Sequence, residues 1–334
     1  MDNIFFFNKT KCKTINISSP GKIVLCGEHS VLHGSPVISM AINRRMFVKI
    51  SQIKEKKVSI KSEFGTFFLK ETEDLRHKYK NTEKNVNIPD WGKSIVFLLQ
   101  KIKHPGLKIE IISEIGNYGF GSSGAIFSCL CCGLLLLNNQ KLSKSQLFKK
   151  TLNLYFEYNK NNSFKPSGVD LATSILGGII CYFPNKKKAI DLNNKIFKNY
   201  NFFAIWTGHK TSTETAKHIA DSVKNSNYIY AKIGKIVTEI FQILKEKKAP
   251  KNISFMFDKL LENQTFLEQL NLADNDTKNI IKQCNKQNVV AKISGSGLGD
   301  CVIAICKKGQ KFNIKKYKKI KINIDIDGIR YGFK

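Results

Sequence analysis

The chain has very little arginine, and its acidic residues are few beside its lysines. Its 334 residues include 55 Lys and Arg against 26 Asp and Glu, which gives a formal net charge of +29. Arginine occurs only at Arg44, Arg45, Arg76 and Arg330. Because arginine is the side chain favoured for bidentate contacts with bases and phosphates, its scarcity argues against specific nucleic-acid binding. Asparagine and isoleucine are also plentiful, so a biased genome explains the lysines as well as an anionic partner does.

Long apolar runs and paired cysteine motifs are also absent. The most apolar stretch, residues 125–137, is shorter than the ~20 residues that a membrane span needs. The apolar start at residues 4–7 is too short for a secretory signal and lacks a small-residue cleavage site. The nine cysteines are scattered, without the repeated spacing of a zinc site. We therefore expect core thiols, no membrane insertion and a cytoplasmic location.

Strand-like and helix-like patterns occur in both halves of the chain, which indicates an α+β or α/β class with about two domains. Alternation of apolar and polar residues predicts strands at 47–53, 57–61, 107–113, 179–183, 202–206, 289–293, 301–305 and 319–325. Helical patterns are found at 91–101, after the turn at 116–124 as far as Leu137, and at 143–159, 213–224, 229–245 and 277–286. Residues 71–89 are polar and predicted to be a loop.

The polar segment at residues 184–188 is the best candidate for a domain boundary. We therefore divide the chain into an N-terminal domain, residues 1–190, and a C-terminal domain, residues 191–334.

Residues 116–124 read Gly-Asn-Tyr-Gly-Phe-Gly-Ser-Ser-Gly and run directly into an apolar helix. Glycines let the backbone approach a ligand closely, and a helix N-terminus offers free N–H groups to a phosphate. The last six residues also fit the G-x-G-x-x-G of dinucleotide sites. That interpretation fails because residues 139–146 contain no acid for a ribose hydroxyl. A stretch at 87–94 resembling a Walker A loop starts with Asn and is interrupted by Pro89, so we attribute it to chance.

Residues 19–34 predict a strand that leads into a tight turn. Lys22 stands at the start of the strand, and Glu28 and His29 stand in the turn. Each of these residues alone is more often structural or solvated than functional.

Two shorter segments complete the set of candidates. Residues 292–301 carry three alternating glycines, which suit either an anion-binding nest or a structural hairpin. Residues 165–170 read Lys-Pro-Ser-Gly-Val-Asp, so a turn precedes Asp170. An Asp at such a position is most often a helix cap, but it can also accept a hydroxyl proton during phosphoryl transfer.

In chain order the four segments read P-G-K-x-x-L-x-G-E-H, G-x-G-S-S, P-S-G-V-D and K-x-S-G-x-G-x-G-x-C. This order resembles the GHMP small-molecule kinases, and the resemblance covers residues 19–305. Within that superfamily, residues 27–34 are most similar to the mevalonate kinases. Galactokinases continue after Glu-His with Thr-Asp-Tyr, which is absent from this sequence. The decarboxylase of the same pathway has Tyr-Trp-Gly-Lys near its start and an Asp-Ala-Gly-Pro-Asn loop, and this sequence contains neither.

The resemblance implies an α+β fold with a ribosomal-S5-like N-terminal domain, a ferredoxin-like C-terminal domain and the active site between them. It implies transfer of a phosphoryl group from ATP to mevalonate with Mg²⁺, in a chain that could form a homodimer. Residues 300–301 and 206–213 resemble the phosphomevalonate kinases, so phosphomevalonate or another GHMP substrate stays open as the acceptor. A relative that only binds ligand and a lysine-driven binding protein are the remaining alternatives.

The resemblance also implies a role for each candidate residue. Asp170 would be the base, with Lys22 beside it, and Glu28 and His29 would line the acceptor pocket. The ATP phosphates would lie on Gly119, Phe120, Gly121, Ser122 and Ser123. The active site would be closed by a structural loop containing Gly295, Gly297 and Gly299.

The metal site departs from the family pattern. Mevalonate kinases supply a Glu from the helix before the Pro-Ser-Gly-Val-Asp turn, and a His-Gly pair follows it. Here the equivalent position is Asn159, and Ser163-Phe164 replaces His-Gly. We expect Mg²⁺ to be held by Ser123 and by Glu157, the nearest acid, pointing at the phosphate loop. The alternative is a solvated Glu157, with Ser123, phosphates and water holding the metal.

Overall fold

Two β-sheets and the helices packed on them position the site. The computed structural model describes residues 13–63, 65–70, 88–162, 165–192, 194–245 and 253–333. The strands are β1 (Thr14–Cys26), β2 (Val37–Ile53), β3 (Lys57–Ser62), β4 (Gly65–Lys70), β5 (Gly106–Ser113), β6 (Ile179–Phe183), β7 (Lys188–Asp191), β8 (Tyr200–Trp206), β9 (Val290–Ser294), β10 (Cys301–Lys307), β11 (Lys318–Ile322) and β12 (Arg330–Phe333). The α-helices are α1 (Asp90–Lys101), α2 (Ser122–Leu137), α3 (Lys144–Tyr158), α4 (Val169–Leu176), α5 (Thr213–Ser222), α6 (Ser226–Lys245), α7 (Ile253–Gln269) and α8 (Asn275–Asn285).

The first sheet has the strand order β12-β1-β2-β5-β3-β4, and β6 and β7 continue it from β2. Its neighbours are antiparallel except β3 and β5, which run parallel. The second sheet is antiparallel, in the order β11-β8-β10-β9. Mixed sheets with helices confirm the α+β class predicted from the sequence.

The sequence patterns found most of the helices and strands but missed several. The structure adds helices α4 and α7 and the short strands β4, β7 and β12, and it extends the strand predicted at 47–53 back to Val37 as β2. Strand β7 begins at the last residue of the predicted polar break and contains residue 190, and it pairs with β6 in the first sheet. Strand β12 returns the end of the chain to β1. The domain division at residue 190 stays a prediction, and most of the predicted loop at 71–89 lies outside the described residues.

Helix α2 is the central helix of the first layer. Its apolar residues from Ala125 to Leu137 are almost all buried, and it packs on β1 and β2. The cysteines of the described chain are free and buried, which confirms the prediction of core thiols. None of the helices in the described ranges is both long and apolar enough to cross a membrane.

Helix α4 crosses α2 at very short range. A Cβ placed on Gly124, in the first turn of α2, would lie 2.7 Å from the Cβ of Asp170 on α4. Only a glycine allows this approach. The crossing brings the start of α2, the start of α4 and strand β1 to one place.

Candidate active site

The phosphate loop predicted at Gly119–Ser123 is held against strand β1. Gly119 and Gly121 have φ angles of 77° and 75°, which L side chains rarely adopt. The carbonyl of Phe120, between them, accepts a 2.8 Å hydrogen bond from the backbone N–H of Lys22. The Phe120 side chain is buried. The loop is therefore anchored to β1 by its middle residue, and its two flanking glycines are half-buried.

Helix α2 begins at Ser122, directly after this loop. Its N-cap is Gly121, which provides no side chain to bond the first N–H groups. Ser122 and Ser123 occupy the first two helical positions. The free N–H groups and the positive end of the helix dipole are suited to an anionic group such as a phosphate.

Lys22 and Asp170 form an ion pair beside this helix start. The distance from Lys22 Nζ to Asp170 Oδ1 is 3.1 Å, and the two side chains are 10% and 33% exposed. The N-cap of α4 is Gly168. This excludes the interpretation of Asp170 as a helix cap, which the sequence analysis had kept as an alternative. A Cβ placed on Gly121 would lie 3.0 Å from the Lys22 Cε, so the lysine chain runs along the phosphate loop.

His29 is buried and held in one orientation. Its φ of 57° lies in the left-handed region, and 4% of the residue is exposed. Its Nε2 lies 2.7 Å from the carbonyl oxygen of Ser296, and a carbonyl can only accept, so Nε2 carries the hydrogen. Burial lowers the pKa of His29 below its ordinary value. Its Nδ1 is buried and has no hydrogen-bond partner among the described residues.

The sequence analysis expected Glu28 to line the acceptor pocket, and the structure contradicts this expectation. Its side chain is fully buried and forms an ion pair with Lys292 of β9. Burial raises the pKa of Glu28 above its ordinary value, while the Lys292 charge acts in the opposite direction. The sequence missed this because the partner lies in the fourth motif, at the far end of the chain.

The predicted structural loop at Gly295–Gly299 connects the acceptor side with the phosphate loop. Gly297 lies against the Leu272 carbonyl, where a Cβ would be 2.7 Å from the oxygen. The next glycine, Gly299, lies in the same way against His209. The Gly295–Gly299 loop therefore packs closely at two of its three glycines.

Asp300 follows this loop, and sequence reasoning used it only as a family signal. Its side chain lies against Gly119 of the phosphate loop, where a Cβ would be 2.6 Å from the Asp300 Cγ. Burial raises the pKa of Asp300, and the charges of Lys210 and Lys22 oppose that effect. The sequence offered no signal for this contact because the two loops belong to different motifs.

Glu157 is not brought to the phosphate loop, which corrects the orientation expected from the sequence. Its carboxylate is 47% exposed and forms an ion pair with Lys101 of α1. Two positions earlier on α3, Tyr155 is the residue that lies beside Ser123, whose side chain acts to lower the tyrosine pKa against the effect of burial. Side chains two residues apart on a helix point about 200° from each other, so α3 cannot present both to α2. Asn159 bonds the Tyr155 carbonyl and caps the helix, and Ser163-Phe164 lies outside the described residues.

The described residues contain no group of three His, Cys, Asp or Glu side chains that could hold a metal ion by themselves. Mg²⁺ that arrives with nucleotide phosphates needs only one or two protein oxygens, since phosphates and water supply the others. The Ser123 hydroxyl at the start of α2 suits that demand. The residues present therefore fit a magnesium–nucleotide complex without the expected Glu157.

Comparison with known families agrees with this geometry. The model "GHMP kinases N terminal domain" matches residues 92–178, and "GHMP kinases C terminal" matches residues 256–317. The chain is a GHMP kinase. A third model, the "galactokinase galactose-binding signature", matches residues 5–52 of this kinase.

The relatives of this GHMP kinase carry several names. The mevalonate kinase of Archaeoglobus fulgidus is 26% identical over 295 residues, which are 88% of this chain and 93% of that protein. The crystal structure of Methanococcus jannaschii mevalonate kinase superposes with a TM-score of 0.76 at 21% identity, over 95% of this chain and 99% of that one. Streptococcus pneumoniae phosphomevalonate kinase gives 0.71 at 17% identity, over 91% and 99%. The fold is shared by all of them.

Proposed function

We propose that this GHMP kinase transfers the γ-phosphoryl group of ATP to the primary hydroxyl of (R)-mevalonate and forms 5-phosphomevalonate. The observation that carries the proposal is the Lys22–Asp170 pair, 3.1 Å apart, at the open start of α2. A phosphate-binding helix start beside a paired carboxylate is what transfer of a phosphoryl group to an alcohol requires. The curated relatives named mevalonate kinase support the choice of acceptor.

ATP binds through its phosphates at the Gly119–Ser123 loop. The left-handed glycines let the phosphates approach the backbone, and the N–H groups at the start of α2 point at them. Binding at this point aims the γ-phosphate at the Lys22–Asp170 pair, so the chemistry is mainly a matter of position and charge.

Asp170 is the proposed general base. Its carboxylate takes the proton of the acceptor hydroxyl as that oxygen bonds to the γ-phosphorus and the bond to the ADP oxygen breaks. The Lys22 charge lies beside the Asp170 carboxylate and stabilises the negative charge that develops on the attacking oxygen. The pair therefore needs no further ionisable group to start the transfer.

The acceptor binds next to His29. Because Nε2 donates to Ser296, the neutral ring offers Nδ1 as a hydrogen-bond acceptor. A group that donates a hydrogen bond, such as the tertiary hydroxyl of mevalonate, satisfies this atom, whereas a carboxylate would be repelled by it. We therefore assign His29 to a hydroxyl of the acceptor.

Mg²⁺ is the proposed metal cofactor, with the Ser123 hydroxyl as its protein ligand. When bound with ATP, the ion neutralises charge on the phosphates during transfer. Tyr155 lies beside Ser123 and limits the positions that its hydroxyl can take. A cytoplasmic location, a homodimer and the absence of a specific nucleic-acid partner stay predictions.

The test is release of ADP from MgATP in a coupled assay with four acceptors: mevalonate, phosphomevalonate, galactose and homoserine. We expect turnover with mevalonate. Turnover with phosphomevalonate and none with mevalonate would establish the alternative suggested by residues 206–213. Turnover with galactose would show that the match to the galactokinase signature reflects the acceptor that the enzyme uses. We do not expect it, because Ser30-Val31-Leu32 follows His29 where galactokinases have Thr-Asp-Tyr.

A further inference from the structure

We propose that Lys292 is a positioning residue for acceptor binding: through its buried ion pair with Glu28 it holds the turn that carries His29. The inference rests on the proposed function in one respect only, the assignment of His29 to the acceptor. Neither charged residue touches a ligand itself, because their side chains are 1% and 0% exposed. Any effect of the pair on the reaction must therefore pass through its neighbours.

The Glu28–Lys292 pair is the most deeply buried ion pair in the described part of the chain. Lys292 also donates to the carbonyl of Ile293, and the second carboxylate oxygen of Glu28 has no partner among the described residues. A buried charge whose partner is removed is strongly unfavourable. The pair therefore fixes the distance between the Glu28 turn and strand β9.

Strand β9 leads directly into the loop that orients His29. Lys292 is followed within four residues by Ser296, whose carbonyl accepts the His29 Nε2 hydrogen. Glu28 is adjacent to His29 in the chain. The ion pair and the His29 hydrogen bond therefore connect the same two segments, the turn at residues 28–29 and the segment at residues 292–296. The ion pair sets the distance at which the hydrogen bond can form.

Buried polar side chains on α7 hold the same two segments from a third side. Asn263 accepts hydrogen bonds from the Cys26 thiol and the backbone N–H of Gly27, just before Glu28. The adjacent Gln264 accepts the backbone N–H of Ile293, just after Lys292. Because α7 holds both segments, we expect Lys292→Met to fold with a lower melting temperature while the Glu28 turn loses its side-chain link to β9.

The left-handed backbone conformation of His29 explains why loss of the ion pair would move its side chain. A non-glycine residue at φ 57° is strained and persists only where its surroundings impose it. Without the Glu28–Lys292 tie, the turn relaxes and the Nδ1 atom leaves the acceptor position. The nucleotide loop is tied to β1 through Phe120 and is unaffected.

The test compares Lys292→Met with a matched control, Arg45→Met. Arg45 forms another buried ion pair, with Asp325, away from the His29 turn. For Lys292→Met we expect KM for mevalonate to rise about tenfold or more, with KM for ATP within about twofold of wild type. Arg45→Met should lower the melting temperature similarly and leave KM for mevalonate within about twofold.

A second measurement is independent of which acceptor the enzyme uses. Imidazole ¹⁵N spectra of histidine-labelled enzyme report the tautomer of each ring, and His29→Asn assigns the His29 signal. Wild type should show a neutral His29 protonated at Nε2. In Lys292→Met we expect that signature to be lost. A change of acceptor identity would overturn the proposed function but leave this spectroscopic result in force.

Three results would overturn the proposal. The first is an unchanged KM for mevalonate together with an unchanged His29 signal in Lys292→Met. The second is an equal rise of both KM values in Lys292→Met and Arg45→Met. If Lys292→Met does not fold, Glu28→Gln/Lys292→Met, which leaves no unpaired charge, takes its place. Wild-type KM for mevalonate in that double variant would be the third, since it would show that only charge balance matters.

Discussion

Lys22 of β1 and Asp170 of α4 meet at 3.1 Å because two glycines of α2 and its loop leave room for them. A Cβ on Gly121 would lie 3.0 Å from the Lys22 side chain, and one on Gly124 would lie 2.7 Å from the Asp170 side chain. The phosphate loop and the proposed catalytic pair therefore share one set of contacts. A substitution in the phosphate loop therefore moves the Lys22 and Asp170 side chains, and a substitution of either side chain alters the packing of the loop.

Replacing Asp170 by Asn removes the proton acceptor and keeps the shape of the side chain. We expect kcat to fall by about 10²–10⁴-fold, the range of a general base, while nucleotide binding is retained. Steady-state kinetics and calorimetric titration with ATP measure the two effects. Asp258→Asn, at an exposed position of α7, is the control and should behave as wild type. A kcat near that of wild type in Asp170→Asn would leave Asp170 with a structural role.

Gly121→Ala and Gly309→Ala separate backbone strain from crowding of Lys22. Both glycines have positive φ, 75° and 85°, so each alanine should cost about 1–2 kcal/mol of folding stability. Only at position 121 would the new Cβ press on Lys22, since Gly309 has no atom within 4 Å of that point. We expect similar melting temperatures but a kcat lower by about 10–100-fold in Gly121→Ala alone. Equal kcat values would contradict this placement of Lys22.

Tyr155→Phe and Glu157→Gln test which side of α3 serves the metal. Tyr155 lies beside Ser123, so removing the tyrosine hydroxyl takes away a polar neighbour of the proposed ligand, and the Mg²⁺ concentration for half-maximal rate should rise about two- to tenfold. Glu157→Gln breaks only an exposed pair with Lys101, which contributes less than about 1 kcal/mol, and should leave the Mg²⁺ requirement unchanged. Binding of Mn²⁺–ATP followed by electron paramagnetic resonance gives the same comparison without turnover. A raised requirement in Glu157→Gln alone would restore the carboxylate as the ligand.

The pH dependence of acceptor binding follows from His29. Its pKa in the folded protein is lowered, so the neutral ring is favoured and the unfolded chain binds a proton at higher pH than the folded one. The associated stability is complete above about pH 6.5, the ordinary pKa of histidine, and is lost progressively as the pH falls below it. KM for mevalonate should be constant above that pH and should rise at lower pH, once the folded ring is protonated and Nδ1 no longer accepts.

His29→Asn is the control for this profile. The Asn Oδ1 lies close to the position of Nδ1 and does not titrate, so the pH dependence of KM between pH 5 and 7 should disappear. The difference in melting temperature between pH 5 and 7 should also shrink. An unchanged profile in His29→Asn would place the titrating group elsewhere.

Local patterns predicted much of the fold. The glycines that end at an apolar run indicate α2, and alternation of apolar and polar residues indicates β5 and residues 47–53 of β2. The missed strands β7 and β12 are four residues long. They gain stability from pairing with β6 and β1 rather than from their own residues, so their sequences carry little signal.

Residue types and local spacing are enough to indicate the available chemistry: a glycine-rich loop before a helix, one lysine, one aspartate after a turn and a histidine in a tight turn. Each of these depends on residue type and spacing within a few positions, which a sequence displays directly. The partners of these residues depend on how the whole chain packs. Packing turns Glu157 towards Lys101, places Tyr155 beside Ser123, and buries Glu28 against Lys292. These outcomes depend on which face a helix presents and which distant strand lies opposite, and both are set by packing of the whole chain rather than by local spacing.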